Sequence, residues 1–276
     1  MQATDMFKLT GKTAVVLGGG GVLGSALAEG FAGAGAKVAI ADLSQENANG
    51  CAERIQAAGG EAKGYAVNVF ERDSLTACCD AIHADFGQVD ILLNAVGGNA
   101  PKATTSPDQS FFELSEQGLH DVMHLNFLAG IVHPSQVFGE RMKDNPDGAS
   151  IMNISSMSAD RPLTRVLTYS AAKAAVSNFT KWLSTHMAME YSPKFRVNAI
   201  APGFFVTEQN RRLLLEEDDE TLTARGQSII DHTPAGRFGA PDDLVGTAIW
   251  LVSDASRFVT GTVIPIDGGF SSYAGV

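Results

Sequence analysis

Short apolar segments alternate with helix-like segments along the whole 276-residue chain. The apolar segments are TAVVL (13–17), KVAIAD (37–42), EAKGYAVNV (61–69), VDILLNAVGG (89–98), ASIMNISS (149–156), FRVNAIAPG (195–203) and TVIPIDGG (262–269). Helices are predicted over about 22–34, 45–59, 71–86, 116–143, 167–191 and 241–253. Near-continuous apolar strands alternating with helices are typical of a parallel sheet buried on both faces. The sequence therefore predicts an α/β fold, a doubly wound Rossmann-type domain with a mostly parallel seven-stranded sheet between helix layers.

We expect one domain over residues 1–276, because no Pro/Ser-rich linker or internal repeat divides the chain. Two long insertions, about 98–115 and 204–239, follow the carboxyl ends of predicted strands. Ligands bind at those ends in open α/β sheets, so we expect both insertions to contact the substrate. The acidic run at 216–220 in the second insertion is interpreted as a solvated helix junction rather than a metal site.

The composition limits the class of partner. The formal net charge of −11 argues against nucleic acid or an anionic membrane surface. The three cysteines, Cys51, Cys78 and Cys79, do not suggest a disulfide framework, which favours a reducing compartment. The chain shows neither an apolar signal core near its start nor a run of about 18 apolar residues. We therefore expect a cytoplasmic protein that acts on a small molecule, with no metal, membrane or nucleic acid involved.

The segment VVLGGGGVLG (15–24) joins the first predicted strand to the first helix. Gly19, Gly21 and Gly24 satisfy the G-x-G-x-x-G pattern, in which backbone N–H groups and a helix N-terminus face a pyrophosphate. The four consecutive glycines also allow a register that starts at Gly18. The amides of Gly18, Gly21 and Leu23 are the first candidates for phosphate contact.

Asp42, at the end of the second predicted strand, indicates which dinucleotide binds. A carboxylate there can accept hydrogen bonds from the adenosine ribose hydroxyls and would repel a 2′-phosphate. The following residues, LSQEN, contain no arginine or lysine to bind that phosphate. The sequence therefore favours NAD(H) over NADP(H). The alternative role for Asp42, a helix N-cap, suits Ser44 better.

The segment TYSAAK (168–173) places Tyr169 and Lys173 four residues apart, on one face of a predicted helix. A tyrosine has an ordinary pKa near 10. A neighbouring ammonium favours the phenolate, so we expect Lys173 to lower the pKa of Tyr169 toward the range of a general acid or base.

With NISS (153–156) upstream and NAIAPGFFVT (198–207) downstream, the chain resembles the short-chain dehydrogenase/reductase family over essentially its whole length. The resemblance implies a catalytic set of Asn126, Ser156, Tyr169 and Lys173. In that set Ser156 bonds the substrate oxygen, Tyr169 is the general acid/base, Lys173 assists it and contacts the nicotinamide ribose, and Asn126 holds a water in the proton relay.

The same resemblance implies the cofactor contacts, with Thr207 bonding the nicotinamide carboxamide. They are Gly18, Gly21, Val22, Leu23, Gly24, Asp42, Asn68, Val69, Asn94, Ala95, Val96, Tyr169, Lys173, Pro202, Gly203, Phe205 and Thr207. The chain departs from the family pattern at Leu17 and Val22, where threonine and glycine are usual, at Asn68 in place of aspartate, and in the strand-four motif Asn-Ala-Val-Gly. These departures bear on cofactor affinity and not on the catalytic set.

Longer stretches, such as GGNAPKATT (97–105) and TARGQSIIDHTPAGRFGAPDDL (223–244), resemble the branch of D-mannonate oxidoreductases, also called fructuronate reductases. That branch implies hydride transfer between NAD(H) and a sugar acid. A sugar acid requires a cation for its carboxylate and polar groups for its hydroxyls. The candidate substrate residues are Asn99, Lys102, Ser156, Arg161, Arg165, Gln209, Asn210 and Arg211.

Two other functions remain open from the sequence. One is a related reductase of another carbohydrate or small ketone, such as a sugar alcohol, gluconate or a 3-oxoacyl compound. The other is a non-catalytic NAD(H) sensor on the same fold, which the complete catalytic set argues against. The resemblance also implies a homotetramer, with helices near 116–143 and 167–191 at one interface and the last strand at another.

Overall fold

One seven-stranded sheet runs through the molecule, and every pair of neighbouring strands in it is parallel. The computed structural model describes residues 2–208, 210–218 and 220–275. The strands are β1 Thr13–Leu17, β2 Lys37–Asp42, β3 Ala62–Ala66, β4 Ile91–Asn94, β5 Ser150–Ile154, β6 Arg196–Pro202 and β7 Val263–Ile266. Their order across the sheet is β3-β2-β1-β4-β5-β6-β7. The predicted Rossmann-type fold is confirmed, and the sheet is entirely rather than mostly parallel.

Helices cover both faces of this sheet. They are α1 Val22–Gly33, α2 Gln45–Ala57, α3 Arg72–Phe86, α4 Glu116–Met123, α5 His133–Met142, α6 Leu167–Glu190, α7 Arg211–Leu214, α8 Ala224–Asp231 and α9 Val245–Val252. A π-helix, His124–Val132, joins α4 to α5. Short 3-10 turns occupy Ala3–Phe7, Pro101–Ala103, Phe111–Glu113, Met157–Ala159, Pro241–Leu244, Asp254–Ser256 and Phe270–Ser272.

The core consists of two apolar layers separated by the sheet. Successive side chains of a strand point to opposite faces, so Val16 of β1 packs with α1, α2 and α9, while Val15 packs with α3, α5 and α6. Phe31 on the first side and Phe138 on the second are completely buried. This two-sided burial explains why the strand sequences are apolar throughout.

The chain reverses its direction of winding between β1 and β4. β1 pairs with β2 on one side and with β4 on the other, so Leu17 lies opposite both Ala41 and Asn94. The segments that leave β1 and β4 therefore diverge to opposite faces and open a crevice at their carboxyl ends, where doubly wound sheets bind nucleotides.

The predicted helix over 116–143 is three consecutive elements, α4, the π-helix and α5. Two residues explain the wide turns. Pro134 has no N–H to donate into the preceding turn, and a Cβ on Gly130 would lie 2.8 Å from the carbonyl oxygen of Val96. A π-helix inside an α-helix often marks a functional site.

The insertion at 204–239 contains α7 and α8, which the sequence pattern did not predict. The predicted strands at 61–69, 89–98 and 262–269 end earlier, at Ala66, Asn94 and Ile266. Their last predicted residues form loops instead, and these loops lie at the ligand-binding edge of the sheet.

None of the helices in the described ranges combines the length and hydropathy that a membrane span requires. Within the same ranges, no group of three or more His, Cys, Asp or Glu residues is arranged to hold a metal ion.

We expect Gly24→Ala to destabilise the fold, because its new Cβ would collide with the carbonyl oxygen of Gly18. Overpacking of this kind costs about 1–3 kcal/mol. Gly33→Ala, in the same helix, is the matched control: its Cβ would meet no atom within 4 Å, and it should stabilise by about 0.5–1 kcal/mol. Urea unfolding of both variants measures the difference, and equal effects would contradict the close approach.

Candidate active site

The glycine loop follows the register that starts at Gly18. Gly18 has a φ of +74°, and a Cβ on it would lie 3.0 Å from the carbonyl carbon of Ala95 in the loop after β4. A Cβ on Gly24 would have no room against Gly18. A Cβ on Gly21 would meet only one atom, the carbonyl oxygen of Gly18, at 3.4 Å. Gly18, Gly19, Gly20 and Gly24 therefore lack room for a side chain, and Gly21 is the most open of the loop glycines.

The loop amides differ from the sequence expectation. The N–H of Gly18 donates to the carbonyl oxygen of Ala41, and the N–H of Gly21 donates to that of Gly18. These two amides already have acceptors within the protein. Residues 22–24 form the first turn of α1. The N–H groups at the start of a helix have no carbonyl oxygen of a preceding turn to accept them. Leu23 remains the best of the three predicted amides for a phosphate.

The carboxylate of Asp42 lies against this loop. It accepts the N–H of Gly20 at 3.0 Å and that of Ser44 at 3.1 Å. Ser44, not Asp42, caps α2, and its side chain accepts the N–H of Asn47. Asp42 is therefore held at the carboxyl end of β2 with a negative charge beside the glycine loop.

Asn68 closes the turn that ends β3. Its side-chain oxygen accepts the N–H of Phe70 at 3.1 Å, and its side-chain NH₂ donates to Glu71 at 2.9 Å. Val69 is buried beside it. The side-chain NH₂ of Asn68 has a second N–H, and its oxygen a second lone pair, with which it could bind a ligand.

Asn94 belongs to a buried polar network rather than to an open cleft. Its NH₂ group donates to Asn153 at 2.9 Å and to Ser135 at 3.2 Å, and Asn153 donates to Thr180 on α6. All of these side chains are buried. The network ties β4 and β5 to α5 and α6, so the side chain of Asn94 acts on the site by positioning other elements.

Asn126 lies in the π-helix and clamps the loop that follows β4. Its NH₂ group donates to the carbonyl oxygens of Gly98 at 2.6 Å and Val122 at 2.8 Å, and its oxygen accepts the N–H of Gly98. A Cβ on Gly97 would lie 2.7 Å from the oxygen of Asn126 and 3.2 Å from Nζ of Lys173. Asn126 and Lys173 therefore meet across Gly97.

Lys173 is buried, with 3% of its surface exposed, and its ammonium donates to the carbonyl oxygen of Ile154 at 2.8 Å. Its Nζ lies 5.6 Å from the ring centre of Tyr169. Burial lowers the pKa of Lys173 to about 8, because removing the ammonium from water disfavours its charged form.

The hydroxyl of Ser156 lies close enough to Tyr169 to lower its pKa. Ser156 is 8% exposed and also accepts the hydroxyl of Ser158 at 3.0 Å. Burial raises the pKa of Tyr169, while its hydrogen bond with Ser156 acts in the opposite direction. The prediction that the pKa of Tyr169 is lowered is therefore wrong for the protein without a bound ligand, because burial of the hydroxyl has the larger effect.

The chain turns directly after β6, and this turn forms the start of the 204–239 insertion. A Cβ on Gly203 would lie 2.6 Å from that of Asp267, and Phe205 packs under Gly239. The N–H of Thr207 donates to the side chain of Asn210 at 2.8 Å, and the same side chain donates to the carbonyl oxygen of Phe205. Pro202, Gly203, Phe205 and Thr207 thus line one turn at the carboxyl end of β6.

Comparison with known proteins gives the family. Residues 21–271 match the family model described as enoyl-(acyl carrier protein) reductase. The chain belongs to the short-chain dehydrogenase/reductase family. The fold and the chemistry expected from that resemblance, oxidoreduction of a CH–OH or carbonyl group, are confirmed at the level of the family.

Individual relatives of this dehydrogenase/reductase carry several names. It is 47% identical over 277 residues, 97% of this chain and 98% of the relative, to the uncharacterized oxidoreductase UxuB of Bacillus subtilis. A solved structure from Haemophilus influenza, provisionally named a D-mannonate oxidoreductase and containing NAD, is 41% identical, with a TM-score of 0.90 and 100% of both chains covered. The 5-keto-D-gluconate 5-reductase of Escherichia coli is 32% identical over 265 residues, 96% of this chain and 97% of the relative.

The predicted substrate residues of the dehydrogenase/reductase are not equally accessible. Asn99 donates to the Thr104 hydroxyl, and Arg161 donates to the carbonyl oxygen of Ser271. Asn210 uses its side chain within the turn described above, so it closes the loop rather than facing a ligand. Gln209 lies outside the described residues.

The cations in this group fall into two kinds. Arg211 approaches Glu208 at 3.8 Å, so it has an acidic neighbour. Lys102 and Arg165 are exposed on the segments that frame the cleft. Sequence reasoning missed Arg225 on α8, whose positive charge is close enough to that of Arg165 to be affected by it. The sequence around one arginine in a helix does not indicate which distant charge lies near it in the fold.

The burial of Lys173 gives a pH-dependent prediction. Its pKa is about 8 in the folded protein against an ordinary 10.5, so between these values the unfolded chain binds more protons and stability rises with pH. Lys173→Met lacks this group. The free energy of unfolding of the wild type relative to Lys173→Met should therefore increase by about 3 kcal/mol between pH 8 and 10.5.

Urea unfolding at a series of pH values measures this difference. A second series in which both proteins also carry Tyr169→Phe removes the titration of Tyr169, which Lys173 influences. Lys181→Met, on the exposed side of the same helix, is the matched control. A wild-type minus Lys173→Met difference that stays constant across this range would refute the buried ammonium.

Proposed function

We propose that this dehydrogenase/reductase transfers a hydride between NAD(H) and a sugar acid, with D-fructuronate and D-mannonate as the substrate pair. The observation that carries the chemistry is the contact of Ser156 with Tyr169 and of Tyr169 with Lys173. The choice of sugar acid is supported by the likeness to the Haemophilus influenza structure over the whole chain.

The residues at the crevice fit a dinucleotide. The first turn of α1 offers N–H groups to a pyrophosphate, and the loops after β1 and β4 approach each other closely at Gly18 and Ala95. We expect Thr207 and the turn after β6 to hold the nicotinamide end. When bound, NAD(H) supplies the hydride chemistry.

The protein's own side chains handle the proton. The raised pKa of Tyr169 keeps its hydroxyl protonated at neutral pH, so it can donate that proton to a substrate oxygen held by Ser156. Lys173, with a pKa of about 8, carries its positive charge at pH 7. That charge stabilises the phenolate left on Tyr169, and Asn126 fixes the loop against which Lys173 packs.

A second candidate is a reductase of another carbohydrate, above all a keto-gluconate. The 32% identity to 5-keto-D-gluconate 5-reductase over nearly the whole chain favours it as the alternative. The two candidates share the proton chemistry and the need for a carboxylate site. Both substrates carry their ketone at C5, and they differ in the configuration at C2, next to the carboxylate.

The proposal predicts that the purified protein oxidises NADH with D-fructuronate in preference to D-tagaturonate, 5-keto-D-gluconate, D-fructose and acetoacetyl compounds. Tyr169→Phe should lower kcat by about 10²–10⁴-fold, because the proton donor is lost, while NADH fluorescence still reports binding. Tyr191→Phe, at the exposed end of α6, is the control. Turnover retained by Tyr169→Phe would contradict the mechanism, and a wild type inactive on every keto-acid would refute the sugar-acid assignment.

We propose NAD(H) over NADP(H) because the Asp42 carboxylate stands beside the glycine loop. Asp42→Asn retains an oxygen that can accept the N–H of Gly20 but removes the charge. We expect it to raise the ratio of kcat/KM for NADPH to that for NADH by about 10-fold or more, since one lost charge repulsion of 1.4 kcal/mol gives that factor. Steady-state kinetics with both cofactors measure the ratio, and an unchanged ratio would show that Asp42 is not the selector.

A cytoplasmic homotetramer remains our proposal for assembly and location. The exposed Trp182 on α6 borders a cavity of about 770 Å³ between α3, α5 and α6, which supports an interface on the face predicted from the family. The three cysteines are free and buried, which is compatible with a reducing compartment.

A further inference from the structure

Ser158 lies two residues after Ser156, in the short turn Met157–Ala159 that follows β5. Its side chain is completely buried. A buried hydroxyl costs free energy unless it forms a hydrogen bond. The hydroxyl of Ser158 donates to Oγ of Ser156 at 3.0 Å, and the N–H of Ser158 donates to the same atom at 3.2 Å. Ser158 therefore directs both of its donors at the side chain of Ser156.

These two contacts define how Ser156 can act. A serine hydroxyl has one hydrogen to donate and two lone pairs that accept. Both acceptor positions of Ser156 are taken by Ser158, so the hydrogen of Ser156 is left for a partner in the cleft. Ser156 is therefore set as a donor, whereas an unconstrained serine can either donate to a neighbouring oxygen or accept from it.

The effect of Ser156 on Tyr169 agrees with this direction. Burial raises the pKa of Tyr169, and Ser156 acts in the opposite direction. A hydroxyl lowers the pKa of a phenol when it donates to the phenolate, because it then favours the charged form. The hydrogen of Ser156 is thus available to an oxygen beside Tyr169.

The neighbouring Ser155 has a different task. Its hydroxyl donates to the carbonyl oxygen of Lys173 at 3.1 Å and lies 2.7 Å from Oγ of Ser177. Both partners belong to α6, so Ser155 ties the end of β5 to that helix. Ser155 therefore joins a strand to a helix, while Ser158 acts on the side chain that influences Tyr169.

The turn that carries Ser158 is fixed by its own backbone. The N–H of Ala159 donates to the carbonyl oxygen of Ser156 at 3.0 Å, and the N–H of Arg161 donates to that of Met157 at 3.1 Å. Met157 is buried as well, and the turn packs against α6. The donors of Ser158 therefore stand in place before a ligand binds. Donors arranged in advance stabilise a developing charge without rearranging at the moment of reaction.

This arrangement suits the reduction of a carbonyl group. When a hydride reaches the carbonyl carbon, the electron pair of the C=O double bond moves to the oxygen, and the proton of the Tyr169 hydroxyl forms the new O–H bond. Ser156 donates to that oxygen throughout and keeps its own proton. Hydrogen bonds in a chain polarise one another, so the bond from Ser158 makes Ser156 a stronger donor to the oxygen as it becomes negative.

We propose that Ser158 is a positioning residue, which fixes Ser156 as a hydrogen-bond donor to the substrate oxygen. This inference rests on the proposed function, because it takes Ser156 and Tyr169 as the groups that contact that oxygen. It adds a residue outside the expected catalytic set, and it assigns one direction to the hydrogen bond of Ser156.

The first test compares Ser158→Ala with the wild type in NADH oxidation by D-fructuronate. The substitution removes the hydroxyl donor and leaves the backbone donor. We expect kcat to fall by about 3–10-fold, the range that one hydrogen bond supplies, with the KM for NADH unchanged. Ser184→Ala is the matched control, because Ser184 is also buried and its hydroxyl donates to the carbonyl oxygen of Lys181, farther along α6. It should keep the wild-type kcat.

A double-mutant cycle separates positioning from a structural role. If Ser158 acts through Ser156, Ser158→Ala should have no further effect on kcat in a protein that already carries Ser156→Ala. A merely structural role would lower kcat by the same factor in both backgrounds. Equal losses would therefore overturn the inference.

A second pair of variants keeps the test decisive if Ser158→Ala changes the packing. Ser158→Thr and Ser158→Val have side chains of similar volume, and only the threonine carries a hydroxyl. The threonine variant should have the higher kcat, by about the factor that separates the wild type from Ser158→Ala. Thermal melting checks that each variant is folded, and equal kcat values for the two variants would contradict the role of the hydroxyl.

The outcomes separate this inference from the proposed function. If the wild type reduces D-fructuronate and Ser158→Ala keeps its kcat, the positioning role is refuted and the function stands. If the wild type reduces 5-keto-D-gluconate but not D-fructuronate, the substrate assignment fails, and the same cycle with 5-keto-D-gluconate decides the role of Ser158. A wild type that reduces no carbonyl compound of the series named above would overturn both.

Discussion

A buried ammonium is the feature around which the active site is organised. Lys173 is held by one hydrogen bond to the carbonyl oxygen of Ile154, and its burial lowers its pKa to about 8. Such a charge is tolerated only where surrounding groups are fixed in place, because water cannot rearrange around it. Gly97 allows Lys173 to approach Asn126, and the clamp of Asn126 on Gly98 holds that loop still. The site therefore depends on contacts that bring three separate segments together around one charge.

The same region shows why the helices near the site cannot be regular. Asn126 lies in the π-helix, and its side chain donates to the carbonyl oxygens of both Val122 and Gly98. The network from Asn94 through Asn153 to Thr180 ties the sheet to α6, which carries Tyr169 and Lys173. The side-chain oxygen of Asn94 has no hydrogen-bond partner in this network, so the alignment rests on the two donors of its NH₂ group. The catalytic helix is thereby aligned with the strand ends.

Sequence reasoning predicted the parts that depend on local pattern. Strand and helix alternation fixes a doubly wound sheet, and the spacing of Tyr169 and Lys173 follows from helix geometry. It missed the features that depend on distant contacts. The π-helix arises where Gly130 meets Val96, and the proximity of Arg225 to Arg165 joins residues 60 positions apart. Likewise, the direction of the Tyr169 pKa depends on how deeply the fold buries the hydroxyl, which the spacing of two residues does not determine.

Different parts of the fold carry the groups proposed for proton transfer and the groups proposed for substrate binding. The groups proposed for proton transfer stand on α6, the π-helix and the turn directly after β5. Several of the predicted substrate residues, such as Lys102 and Arg211, stand on the insertions at 98–115 and 204–239, which are joined to the core by hydrogen bonds such as those of Thr105 and Ala235. A loop can exchange such residues without disturbing the sheet. The reaction type is therefore shared across the family. A relative that is 32% identical nevertheless carries the name of another substrate. The substrate has to be argued from the charges that the insertions bring to the cleft.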